Sequence, residues 1–228
     1  MVGEGCHIAR PAAPDATRGV RLPSEFERLI ERVRACTLCR DAPRFGAALP
    51  HEARPIIQAA PSARICIVGQ APGARAHLSG RPFTDASGVR LRAWLGLAEA
   101  AFYDARAIAL IPMGFCFPGN DAHGGDLPPR RECAETWRAL LLKQLPEIEL
   151  TLLVGQYAQK WRLDRKLLTG GVTGVVRQWR EIYDDRGRRR VMPLPHPSWR
   201  NTGWIKRNPW FETELLPVLR NDVATLLS

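Results

Sequence analysis

Four short apolar runs, each followed by a turn rich in glycine or proline, predict the strands of the core. The first run spans Ile65 to Val68, and the others span residues 107–111, 150–154 and 191–195. Such runs are typical of strands that are buried on both faces of a parallel sheet. The fourth run contains two prolines, Pro193 and Pro195, which predict a shorter, interrupted strand at that place.

Helical patterns occupy most of the sequence between these runs. Ser24 and Glu27 form a capping box that predicts the start of the first helix, where apolar residues recur at helical spacing. Further helices are predicted over residues 89–97, 130–145, 156–168 and 208–227, with a loop or hairpin over residues 170–190. Strands that alternate with helices predict an α/β fold, a three-layer α/β/α arrangement around a central four-stranded parallel sheet.

The chain has 228 residues, enough for one well-buried α/β domain. Residues 1–21 lack periodicity and are predicted to form a flexible tail, which leaves residues 22–228 as a single domain. No apolar run reaches about 18 residues, and no secretory pattern opens the chain, so we expect a cytoplasmic protein without a membrane partner. We expect it to act as a monomer.

The charge balance favours a polyanionic partner, most simply nucleic acid. The formal net charge is +10 and the pI is about 10. Basic surfaces attract the phosphate backbone of DNA or RNA. An arginine-rich composition that reflects codon bias would produce the same balance.

The stretch from Gly69 to Gly88 is the strongest candidate for an active site. It follows the first predicted strand and contains Gly69, Pro72, Gly73, Gly80 and Pro82. In open α/β sheets, ligands bind in the crevice beyond the carboxyl ends of the strands. The alternative is an ordinary connection between a strand and a helix.

Five of the six cysteines fall outside the apolar runs, and four of these five also lie outside the predicted tail. Cys36 and Cys39 form a C-x2-C pair, and Cys116 and Cys133 follow much later. Four thiolates can bind either zinc or an iron–sulfur cluster, and the spacing does not distinguish these metals from each other or from unrelated thiols. Cys66 lies inside the first predicted strand and is expected in the core.

Three motifs in order resemble the uracil-DNA glycosylase superfamily, in its iron–sulfur branches (families 4 and 5). They are Gly69-Gln70-Ala71-Pro72-Gly73, Gly80-Arg81-Pro82-Phe83 and His196-Pro197-Ser198, and the resemblance covers residues 25–225. It implies a four-stranded parallel sheet and cleavage of the N-glycosidic bond of uracil in single- or double-stranded DNA. It also implies that Cys36, Cys39, Cys116 and Cys133 bind a structural four-iron, four-sulfur cluster, with zinc as the alternative.

The resemblance implies roles for individual residues as well. Asp85 and His196 would be catalytic, although Asp85 could equally serve as a helix N-cap. The backbone amides of Gln70 and Ala71 would stabilise the departing base, and Phe83 would stack on it unless it is a core aromatic. The predicted base pocket comprises Gly69, Gln70, Ala71, Pro72, Gly73, Phe83 and Asn120.

Two departures from the family pattern bear on substrate and mechanism. Pro112 stands where many relatives have an asparagine that reads the uracil edge, so we expect backbone groups or Asn120 to take this part. Hypoxanthine or xanthine is therefore an alternative substrate. Gln70 and Ala71 stand where some relatives have a carboxylate, which leaves a damage-binding protein of weak activity as another alternative.

The resemblance also implies DNA contacts from Ser198, Trp199, Arg200 and Asn201. In this arrangement Arg200 would enter the gap that the flipped nucleotide leaves in the duplex.

Overall fold

A computed structural model of the protein describes residues 22–183 and 189–228. The predicted tail, residues 1–21, lies outside the described residues. Four strands form a single sheet: β1 (Ile65–Val68), β2 (Ile108–Leu110), β3 (Leu150–Val154) and β4 (Arg190–Leu194). Their order is β2-β1-β3-β4 and every neighbouring pair is parallel, which confirms the predicted four-stranded parallel sheet.

Helices connect these strands and flank the sheet. Their bounds are α1 Glu25–Arg34, α2 Leu38–Asp41, α3 Ala74–Ser79, α4 Ala86–Leu95, α5 Glu99–Phe102, α6 Ala139–Lys143, α7 Gln156–Arg162, α8 Gly171–Arg177, α9 Trp179–Tyr183, α10 Thr202–Arg207 and α11 Leu216–Leu227. Short 3₁₀ segments span Arg165–Leu167 and Trp199–Asn201, and π-helical turns span Ala134–Arg138 and Phe211–Leu215.

Alternate residues of each strand pack into two separate hydrophobic cores. Ile65 and Ile67 pack with residues of α4, α8, α9 and α11 on one face of the sheet. Cys66 and Val68 pack with residues of α1, α6 and α7 on the other face. Successive side chains of a strand point to opposite faces, so the apolar run Ile65–Val68 serves both layers. The three-layer α/β/α prediction is confirmed, and Cys66 is fully buried as expected.

The prediction of a loop or hairpin over residues 170–190 is wrong in its described part. Two helices, α8 and α9, lie there and bury Val175, Val176, Trp179 and Ile182; Val176 and Trp179 belong to the core on one face of the sheet. These four residues recur at helical spacing, a signal that three nearby glycines and several polar residues obscured.

Other predicted helices differ in their limits. Helix α4 begins at Ala86 rather than at residue 89, because Asp85 supplies its N-cap. The helix predicted over residues 130–145 begins as the π-helical turn Ala134–Arg138 and ends with α6. None of the helices within residues 22–183 and 189–228 has both the length and the apolar character needed to cross a membrane.

Candidate active site

A cavity of about 380 Å³ opens beyond the carboxyl ends of β1, β2 and β4. The loop after β1 forms one wall, Pro112 after β2 forms another, and His196 after β4 closes a third side. Parallel strands bring these loops to one edge of the sheet, where α/β folds bind their ligands. The stretch from Gly69 to Gly88 therefore lies where the sequence predicts an active site.

Phe83 lines this cavity in a strained backbone conformation. Its φ is 54°, the left-handed region that residues other than glycine rarely adopt. The Tyr103 hydroxyl donates a hydrogen bond to the Phe83 carbonyl (3.0 Å), and a Cβ atom on Gly88 would lie 1.8 Å from that oxygen. The ring packs edge-on against Phe102 at a centroid distance of 6.1 Å and is half-buried. The protein therefore holds Phe83 rigidly while one part of the ring stays accessible from the cavity.

Asp85 is a helix N-cap whose side chain also lies at the cavity. It is the N-cap of α4, and its Oδ1 accepts a hydrogen bond from the Gly88 backbone N–H at 3.2 Å. Its side chain also lines the cavity. Capping fixes the carboxyl group at the cavity wall, and a fixed carboxyl is better placed for chemistry than one on a free rotamer.

His196 lies across the cavity, directly after β4. Burial lowers the pKa of His196, and the nearby Asp85 and Asp126 carboxylates oppose this shift. The imidazole is therefore neutral at neutral pH and can donate one N–H hydrogen bond. The side-chain amide of Asn201 donates to the His196 carbonyl at 2.7 Å, which ties the histidine to the loop that follows.

Asp126 was missed by the sequence analysis. It lies in the loop after β2 and lines the same cavity as Phe83, Asp85 and His196. Protein atoms around its carboxyl group remove water and raise the pKa of Asp126, whereas a hydrogen bond from Asn120 opposes this shift. No local motif marks this aspartate, because its neighbours in the cavity lie about 40 and 70 residues away in the chain.

Asn120 stands behind Asp126 rather than in the cavity. Its Nδ2 donates to Asp126 Oδ1 at 3.1 Å, and the two residues form an isolated antiparallel bridge. The cavity lining includes Gly69, Gln70, Ala71, Pro72, Gly73 and Phe83 of the predicted base pocket but not Asn120. Asn120 therefore does not line the cavity, and its contact with a base stays a prediction.

The predicted DNA-contacting loop lies at the cavity mouth. Ser198, Trp199 and Arg200 line an open extension of about 360 Å³, together with Asp85, Asp126 and His196. Trp199 is 72% exposed, and the Arg200 guanidinium lies 5.7 Å from the centroid of its ring. Asn201, in contrast, holds the His196 carbonyl and does not line this extension.

Arg90 of α4 positions this loop and was also missed. Its Nη1 donates to the Ser198 carbonyl at 2.7 Å, and its Nη2 donates to Thr202 Oγ1 at 3.0 Å. The arginine therefore links the helix that Asp85 caps to the loop that carries Trp199.

The four cysteines predicted as ligands line one small, mostly apolar cavity. Within the described residues none forms a disulfide, and no group of three or more histidine, cysteine, aspartate or glutamate side chains is arranged to hold a metal ion. The indole Nε1 of Trp137 donates to Cys36 Sγ and the Phe115 backbone N–H donates to Cys133 Sγ, both at 3.3 Å. Burial raises the pKa of the Cys116 thiol to about 12.

Comparison with known families agrees with this architecture. A family model described as Uracil DNA glycosylase superfamily matches residues 57–220, which is more than two thirds of the chain. The chain belongs to the uracil DNA glycosylase superfamily. The match includes the cavity residues Phe83, Asp85 and His196, and it begins after the C-x2-C pair. Membership makes the protein a DNA glycosylase, a hydrolase of DNA repair, whereas the iron–sulfur branch stays a prediction.

Proposed function

We propose that this protein excises uracil from DNA by hydrolysis of the N-glycosidic bond, without a strand-cleaving lyase step. One observation supports the proposal most directly: a single cavity gathers the aromatic ring of Phe83, the carboxylate of Asp85 and the imidazole of His196. A glycosylase must extrude its target nucleotide and enclose the base in such a pocket. Among the described residues that line the cavity there is no lysine to form a Schiff base.

The cavity is suited to the charges that develop as the bond breaks. The sugar becomes cation-like, and negative charge grows on the departing base. Backbone N–H groups of Gln70 and Ala71, together with the neutral His196 imidazole, would donate hydrogen bonds to that negative charge. The Asp85 carboxylate would act on the other side, on the sugar cation and the attacking water. Phe83 would stack on the base and hold it in line.

Pro112 favours a second candidate substrate, another deaminated base such as hypoxanthine or xanthine. It lines the cavity without a side-chain donor, and its carbonyl accepts a hydrogen bond from the buried Arg138. The wall that would recognise uracil through an asparagine therefore offers no such contact here. Loss of this contact would relax selectivity between pyrimidine and purine bases.

We further propose that Cys36, Cys39, Cys116 and Cys133 bind a four-iron, four-sulfur cluster with a structural role. All four line one cavity, and two of the sulfurs accept N–H hydrogen bonds, as cluster sulfurs commonly do. A single zinc ion would need its ligands at about 2.3 Å from one centre, whereas each cluster thiolate binds its own iron. Iron and acid-labile sulfide analysis of the purified protein tests this, and stoichiometric zinc without iron would contradict it.

The function is tested by base release from single-stranded and duplex oligonucleotides that carry uracil, hypoxanthine or xanthine. Alkali then reveals abasic sites. We expect release of uracil, with the protein behaving as a monomer on its DNA substrate. Release of hypoxanthine or xanthine without release of uracil would contradict uracil as the substrate and favour the second candidate. Tight binding to uracil-containing DNA without release of any base would contradict both and indicate a damage-binding homologue.

A further inference from the structure

The backbone of Phe83 is strained, and its surroundings show what maintains the strain. Among the non-glycine residues that the structure describes, only Phe83 has a positive φ, 54°. Such a conformation persists only where the surrounding contacts over-determine it, and strained residues of this kind cluster at functional sites. The contacts around Phe83 therefore indicate which residues outside the proposed base cavity serve it.

Two glycines leave the space that Phe83 occupies. A Cβ atom on Gly69 would lie 3.2 Å from Cζ at the tip of the Phe83 ring. A Cβ atom on Gly88 would lie 1.8 Å from the Phe83 carbonyl oxygen, which excludes any side chain there. The glycines that begin and end the stretch 69–88 thus both abut Phe83. Space alone does not hold a strained backbone, so a further contact must do this.

The hydroxyl of Tyr103 supplies that contact. Tyr103 directly follows α5, and its oxygen lies 2.8 Å from the Pro82 carbonyl oxygen and 3.0 Å from that of Phe83. These two carbonyls belong to the peptide groups on either side of the Phe83 Cα atom. Since each peptide group is planar, a donor shared between them restricts both φ and ψ of Phe83. Burial raises the pKa of Tyr103, so the hydroxyl keeps its proton at neutral pH and stays a donor.

The Tyr103 ring is itself fixed on two sides. The Arg81 guanidinium lies 3.4 Å from the centroid of this ring, and Arg81 Nη1 donates to Glu99 Oε1 at 3.0 Å. The Phe102 ring packs edge-on against Tyr103 at a centroid distance of 5.0 Å. Tyr103 does not line the base cavity, whereas Phe83 does. Tyr103 can therefore act on a base in the cavity only through another residue, and Phe83 is the one that it contacts.

We propose that Tyr103 is a positioning residue that holds the Phe83 ring in the orientation in which it stacks on the extruded base. The inference rests on the proposed function. Without the hydroxyl, both flanking peptide groups are released and Phe83 relaxes towards an unstrained backbone conformation, which turns its ring. The energy of stacking depends on the relative orientation of the two rings. A base that is no longer held in line reacts more slowly, because part of its orientation must then be gained in the transition state.

The test compares two tyrosines that each lose only a hydroxyl. We expect Tyr103→Phe to lower single-turnover excision of uracil at saturating enzyme roughly tenfold, with the Kd for DNA within about twofold of the unaltered protein. Tyr183→Phe is the matched control, since the half-buried Tyr183 bonds to Asp222 and Arg190 and does not line the cavity. Both variants should lose a comparable amount of Tm, but Tyr183→Phe should keep the excision rate within about twofold.

A double-mutant cycle with Phe83→Leu shows whether Tyr103 acts through the Phe83 ring. In the Phe83→Leu background, Tyr103→Phe should change the excision rate by less than about twofold, because no aromatic ring is left to orient. An equal loss in both backgrounds would overturn the inference alone, as would an unchanged rate in Tyr103→Phe or an equal loss in Tyr183→Phe. Absence of base release by the unaltered protein would overturn the proposed function and this inference with it. Thermal melts confirm that each variant is folded.

Discussion

The proposed base cavity and the cysteine cavity share the loop after β2 but differ in size and in the side chains they carry. Pro112 lines the first cavity, and Phe115 and Cys116, only a few residues later, line the second. The base cavity is open and carries carboxylates and an imidazole. The cysteine cavity is small and bounded by Pro55, Trp137 and other largely apolar residues. An open cavity that carries titratable groups suits exchange of substrate, whereas a small apolar one suits a permanent occupant.

The two cavities are also mechanically connected. Arg138 is almost fully buried, and its guanidinium donates to the carbonyls of Ile111 and Pro112 at the end of β2. The same arginine lies in the π-helical turn that directly follows Cys133. Disturbance of the cysteine cavity would therefore reach the wall of the base cavity through Arg138.

The largest effect is expected when the cysteine cavity is broken. Cys36→Ser should lower the free energy of unfolding by about 3 kcal/mol and the Tm by roughly 10 °C, because the proposed cluster would stabilise only the folded state. Base release should fall with it. Thermal melts and iron analysis are the measurements. Cys66→Ala is the control, since Cys66 is buried in β1 and does not line that cavity; it should lose about 1 kcal/mol and keep any bound iron.

Removal of a polar side chain from the proposed base cavity should lower the excision rate and leave the free energy of unfolding at neutral pH almost unchanged. We expect His196→Ala to lower single-turnover excision roughly 100-fold, since it removes a donor aimed at the departing base. Because the pKa of His196 lies below its ordinary value of 6.5, the unfolded chain takes up this proton first as the pH falls. The free energy of unfolding should therefore decrease below about pH 6.5, and His196→Ala should weaken that decrease. An unchanged excision rate would remove His196 from the mechanism.

A smaller effect separates the two roles of Asp85. Asparagine is also a good N-cap, so Asp85→Asn should keep the melting temperature within about 2 °C while it lowers excision at least about tenfold. Asp85→Ala should lose both properties, with roughly 1 kcal/mol of stability lost with the cap. If Asp85→Asn excises uracil at the normal rate, the residue is a cap alone.

The smallest effect is expected at the loop that carries Trp199. Arg90→Ala removes the hydrogen bonds to the Ser198 carbonyl and to Thr202, so the loop should be less well positioned for DNA. We expect KM or Kd for DNA to rise about fivefold, with the single-turnover rate at saturating enzyme nearly unchanged. The protein has seven tryptophans, so the part of the fluorescence change during DNA titration that Trp199→Phe abolishes follows the loop. A fall in the saturated rate instead would place Arg90 in the chemistry.

The sheet could be predicted from sequence because its strands are continuous apolar runs. Residues 65–68 were predicted without error, and β4 was displaced by a single residue. Burial on both faces forces every position of such a strand to be apolar, which leaves a strong local signal. Helices α8 and α9 were missed because glycines at positions 170, 171 and 174 suggested a loop. Whether a glycine ends or enters a helix depends on the tertiary contacts around it.

For the active site, local motifs of the sequence were enough to place the loop after β1 and to single out Phe83, Asp85 and His196. Glycine-rich turns and their flanking residues are short-range patterns, so they can be recognised from consecutive residues without knowledge of the fold. Only the tertiary structure brought Asp126 into the same cavity and moved Asn120 behind it, because contacts across three loops arise when parallel strands align their ends. The state of each carboxyl group was likewise decided there, since desolvation and neighbouring charges are properties of the folded cavity and not of any segment.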